Sequence, residues 1–148
     1  MKKNWLFALS LLLCTPAFAQ QESPAELARR ATETLSHAWK LRPEQVPAVL
    51  SIQERKFRNL NEIAPLQTED PELWLAKLRV VQQSEVVSLE KVLDESQLAL
   101  LRAEQLRLRK ERAKLYRQLL DNAAPPEEIT RRIGELEWRQ AHENAQTH

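Results

Sequence analysis

Leu93-Asp94-Glu95-Ser96-Gln97-Leu98 is the stretch on which the reading of this chain turns. Asp94 is a good N-cap, because its carboxylate can accept hydrogen bonds from first-turn backbone N–H groups that have no partner inside the helix. Gln97 then stands at the third helical position and can reach back to the N–H of Asp94, closing a capping box, while Leu93 can pack on Leu98 as a hydrophobic staple. The stretch therefore predicts a helix beginning at Glu95. Leu41-Arg42-Pro43-Glu44-Gln45-Val46 repeats the layout, keeping Leu, Gln and the following aliphatic residue and adding proline at the first helical position. Arg42 is a poor cap, and Pro47 removes an early hydrogen bond, so this start is expected to be kinked or displaced by one turn.

Similar signals continue outward from the two segments. Ser23-Pro24-Ala25-Glu26 is a capping box that opens a helix carrying Leu27, Ala28, Ala31, Leu35 and Ala38 and ending near Lys40. A second helix carries Val46, Val49, Leu50, Phe57, Leu60 and Ala64 and closes at Pro65. Asp70 caps a third through Leu75, Leu78, Val81, Val86, Leu89 and Val92. The fourth runs from about Glu95 to Leu120, about 39 Å at 1.5 Å per residue. Residues Asp121 to Pro126 break it, and a last helix carries Ile129, Ile133 and Leu136. With one glycine, Gly134, and no alternating β-branched runs, strand signal is weak. The expected fold is all-α: an elongated bundle of four to five helices with a long helical hairpin. One domain covers 20–141, followed by a flexible tail, 142–148.

The doubled Leu-x-x-x-Gln segment, in a helical chain of this size, resembles the Leu-Thr-x-x-Gln motif of the periplasmic Spy and CpxP family, which includes zinc-resistance-associated envelope proteins. The motif residues here are Leu41, Gln45, Leu93, Asp94 and Gln97; the family's Thr is Arg42 in one copy and Asp94 in the other. The resemblance spans roughly Leu35 to Leu120, with Lys91 to Gln105 looking like the second motif running into the last long helix. It implies a helical cradle, usually an antiparallel homodimer, that binds unfolded or stress-related envelope proteins, or a sensor domain, without ATP.

The amino terminus agrees with export. Lys2 and Lys3 precede an apolar run from Trp5 to Leu13, and Ala17-Phe18-Ala19 is a small-residue cleavage site, so residues 1–19 are expected to be a signal peptide and the mature protein periplasmic. A retained anchor needs about 20 apolar residues. Cys14 raises a lipoprotein alternative, but Leu12 and Leu13 stand where a lipobox has small residues. Cleavage removes the only cysteine and only methionine, leaving no disulfide, thiol nucleophile or thioether ligand. It also takes two of 22 basic residues, which then nearly balance the 21 acidic ones. That balance argues against nucleic acid as a partner, and no stable membrane insertion is expected after cleavage.

The fourth helix concentrates charge: Arg102, Arg107, Arg109, Lys110, Arg112, Lys114 and Arg117 stand against Glu104 and Glu111. Two readings remain open. One is a solvated face whose long stems cover apolar surface; the other is a basic lining that draws in acidic or unfolded clients. On the same helix Leu98, Leu101, Gln105, Leu108, Arg112, Leu115 and Leu119 form a seam compatible with a second subunit or with a monomeric bundle.

No catalytic constellation is recognisable, no Gly-rich phosphate loop or nucleophile elbow occurs, and no enzyme activity or cofactor is expected. Glu69-Asp70 and Glu127-Glu128 sit where helix amino termini favour negative charge. His37 stands alone, while His142 and His148 fall in the expected tail and could hold a metal only loosely. Trp39, Trp74 and Trp138 are expected in the core or, if exposed, gripping clients. A metal-responsive envelope protein of the same fold and a structural envelope protein without clients remain alternatives.

Overall fold

A computed structural model describes residues 22–146. The expected signal segment 1–19 and His148 lie outside the described residues. Six helices follow in order: α1 (Pro24–Trp39), α2 (Val46–Ile63), α3 (Leu66–Glu69), α4 (Pro71–Glu90), α5 (Glu95–Asp121) and α6 (Pro126–Gln146). The protein is all-α; among the described residues there is no strand, and no helix is long and apolar enough to cross a membrane.

Helices α1, α4 and α5 start where a side chain supplies partners for free N–H groups. Ser23 Oγ accepts from Glu26 N at 3.3 Å while the Glu26 carboxylate accepts from Ser23 N at 2.9 Å, with Pro24 in the first turn of α1. Lys40 ends α1 in the left-handed region, at φ 51°. Asp70 accepts from Leu73 N at 3.0 Å to begin α4. The one-turn α3 was not anticipated. Ala64 and Pro65 keep helical dihedrals, so the proline interrupts the hydrogen-bond ladder without turning the chain aside.

Helices α1, α2, α4 and α6 pack in a closed ring, each against the next, and α5 leans on α6 from outside. One core region gathers Ala28 and Ala31 of α1, Phe57 and Leu60 of α2, Trp74 and Leu78 of α4, and Ala141 and Ala145 of α6. Each fully buried Leu or Phe there contributes about 1.5–3 kcal/mol. Gly134 lets α6 approach: a Cβ at that position would lie 2.4 Å from Trp74 Cζ3. A second region at the other end of α1 joins Leu35, Trp39, Val49, Ile52, Leu89, Leu93 and Leu101. Between α2 and α4, buried Lys56 meets Glu85 at 3.0 Å, and Gln53 donates to the same carboxylate at 2.8 Å.

One expectation is corrected. The tail expected from residue 142 is helical to Gln146, because Ala145 is fully buried beside α1 and fastens the last turns of α6. The α5 seam, open between a second subunit and a monomeric bundle, is at least partly covered within the chain. Leu101 and Leu119 are buried and the other five seam residues half-buried, on the side where α5 faces α4 and α6.

Candidate functional site

The two motif segments meet. Asp94 Oδ1 accepts from Gln97 N at 3.1 Å, and Gln97 Oε1 accepts from Asp94 N at 3.0 Å, which is the expected capping box. In the first copy Pro43 to Gln45 form a turn, and α2 starts only at Val46, the displaced start the prolines imply. Gln45 Oε1 nevertheless accepts from Arg42 N at 2.9 Å, reproducing half of the box. The two side-chain amides then bond each other: Gln45 Nε2 to Gln97 Oε1 at 2.8 Å and Gln97 Nε2 to Gln45 Oε1 at 3.0 Å. Each spare donor reaches a carbonyl of the opposite loop, Val92 O from Gln45 at 2.9 Å and Lys40 O from Gln97 at 3.4 Å. Both glutamines are nearly inaccessible, at 4% and 3% exposure, and every donor and acceptor they own is used.

The residues that follow the two motif leucines, Arg42 and Asp94, also pair. Arg42 Nη1 lies 2.6 Å from Asp94 Oδ2. The Ser96 hydroxyl, then the Gln97 backbone N–H, and further Arg42, hold the Asp94 carboxyl below its ordinary range. Arg42, a poor cap by itself, thus serves as the counter-ion of the other copy's cap. Leu41, Leu93 and Leu98 sit in the second core region, so both staples point inward.

Beyond this clasp α4 and α5 diverge, and α6 closes the floor between them. The resulting cleft has a volume of about 910 Å³. Its lining is mixed: Leu75, Val86, Leu101, Ile129 and Ile133 form an apolar strip beside Gln82, Gln83, Gln105 and Thr130, and Arg79, Arg102, Arg109, Arg112 and Tyr116 stand along it. Glu137, fully buried, anchors the floor: Arg79 holds it through three contacts of 3.0 to 3.2 Å and Arg112 stands 3.5 Å away.

The seven basic residues of α5 do not form one face. Arg102, Arg109 and Arg112 line the cleft. Arg107 and Lys114 face the opposite groove between α5 and α6. There Arg107 binds Glu104, Glu111 and Glu143, and the first and last of these, Glu104 most, raise its already high pKa. Lys110 and Arg117 are exposed. The solvated-face reading therefore fits some of the run and the lining reading fits three residues. Arg79, on another helix and 23 positions before Arg102, is the cleft residue that sequence reasoning missed. Its signal was an arginine between Leu78 and Val80, in a mostly apolar stretch that also carries Lys77.

His142 packs edge-on to Phe57 and lies 4.6 Å from the Trp138 ring, donating Nδ1–H to Trp138 O at 2.8 Å. Burial, with Lys56 nearby, lowers its pKa. His37 is exposed in the last turn of α1. Among the described residues no three His, Cys, Asp or Glu converge as metal ligands would. Trp39 and Trp74 are buried, and Trp138 is half-buried against Trp74. Compared with known protein families, characterised proteins and solved structures, the chain matches none.

Proposed function

We propose that this protein is an exported binding protein of the envelope that captures unfolded or stress-related clients, or a sensor domain, without ATP, in the manner implied by its resemblance to the Spy and CpxP family. The observation that carries this reading is the cleft: an apolar strip of the kind that holds exposed hydrophobic side chains, edged by arginines that attract negative charge and set orientation. The motif residues take no part in binding; they root α5 so that the cleft keeps its shape. The test is an aggregation assay with a chemically unfolded client in the absence of nucleotide. Suppression near equimolar protein is the expected result, weakening as salt rises because the arginine contribution is screened. Failure to suppress at any ratio would reject the reading.

A further inference from the structure

We infer that the cleft holds its client as one amphipathic α-helix, with an aliphatic stripe against the apolar strip and carboxylates along both flanks. This rests on the client-binding reading above and specifies the form in which the client is bound.

Backbone hydrogen bonding selects a helix. The walls are α4, α5 and α6, whose N–H and C=O groups are committed inside their own helices away from the ends. An extended segment here would find no strand edge to pair with, and only scattered side chains such as Gln83 and Gln105 could meet its inward-facing backbone groups. A helix satisfies its own backbone and presents only side chains. The dimensions agree. The cleft follows α5 from Leu101 to Tyr116, about 22 Å at the helical rise, which is four turns. Three helices around an open trough leave the fourth position of a bundle vacant, and ridge-into-groove packing there is the same contact the chain makes in its own ring.

Charge selects the flanks. Four arginines line the cleft against Glu90 and Glu137. Glu137 is already held by Arg79 and Arg112. Arg109 reaches only the carbonyl of Gln105, and the pair of Arg102 with Glu95 is solvent-exposed, a class of contact that holds its partners weakly. Both guanidinium groups can turn to a client carboxylate at little cost. The same charges disfavour α5 of a second copy as the occupant, since seven basic residues lie between Arg102 and Arg117.

Three labelled peptides of roughly 18 residues, long enough to span the four turns, test this against the full mature chain. One carries leucines at i, i+3, i+4 and i+7 with glutamates on the flanks; the second replaces the glutamates with lysines; the third keeps the acidic composition with two central prolines. Fluorescence anisotropy should show the acidic peptide bound and the other two at least about tenfold weaker, a difference of about 1.4 kcal/mol. Circular dichroism should show helix gained on binding. Arg102→Glu with Arg109→Glu, both solvent-facing changes, should weaken the acidic peptide and strengthen the lysine peptide. Equal binding of the proline peptide, or indifference to the charge reversal, would overturn the inference. So would a dimer that sediments without peptide and excludes it, since the cleft would then belong to a second copy. Aggregation suppression without binding of any peptide would overturn the helical client and leave the broader reading standing.

Discussion

The paired glutamines show how a local device becomes a tertiary one. Gln97 was legible from sequence because its partner, the N–H of Asp94, lies three residues away in a helix start of known geometry. Gln45 was legible only as a repeat, since three of its four side-chain bonds go to residues about fifty positions distant. No local rule reaches that far. The same holds for Arg42, which looks wrong as a cap until Asp94 is beside it. Replacing Gln97 or Gln45 with leucine strands buried donors and acceptors on the partner, and each change should cost about 1–3 kcal/mol in urea unfolding. The double variant should cost less than the sum by at least about 0.5 kcal/mol; strict additivity would mean that the amides do not act as a pair. His142 offers a test by pH. Its folded pKa lies below the ordinary value, so the unfolded chain takes up the proton first as pH falls through about 6.5. Stability present above that pH should be lost progressively in the window below about pH 6.5. In His142→Gln the slope across this window should flatten, whatever the variant's absolute stability, and an unchanged slope would assign the loss to other groups.

Among the helices, α5 was read correctly in extent, while what covers its seam was left open. The seam from Leu98 to Leu119 has the spacing of a helix-packing face, but spacing names a face and not the surface that covers it. Here α6, continuing to Gln146, supplies the cover, and the apparent tail was misjudged because small residues such as Ala141 and Ala145 bury well while looking unremarkable in a polar stretch. The outward side of α5 carries Ala99, Ala103, Leu106 and Leu120, all exposed. Its carboxy-terminal half has few buried apolar side chains, Leu119 being the buried one between Arg112 and Asp121. Local opening free energy follows such packing. Amide hydrogen exchange should therefore be fastest within α5 from Ala113 to Gln118 and slowest in α4 near Leu78, where the core is complete. Equal protection along the two helices would show α5 covered by something further, a second subunit being the direct candidate.

At the scale of the molecule, the fold class and five of the six helices were legible because caps and apolar spacing are written locally. The ring of α1, α2, α4 and α6 was not, since it depends on which faces meet. Nor was the cleft, whose residues come from three helices and whose arginines look from sequence like part of a single charged run. Salt sensitivity of client capture belongs to this scale: it should track the charge-reversed pair at Arg102 and Arg109 and be indifferent to Lys110→Glu, which lies outside the cleft. The glutamine clasp, finally, sets a limit on chemical longevity. Hydrolysis of either side-chain amide to a carboxylate would exchange two hydrogen-bond donors for oxygen lone pairs facing the Val92 or Lys40 carbonyl and the opposite glutamine. A single slow, spontaneous lesion, invisible to any loss of bulk or shape, would unfasten the loop between α1 and α2 from the root of α5. Burial and the amides' own hydrogen bonds slow that clock.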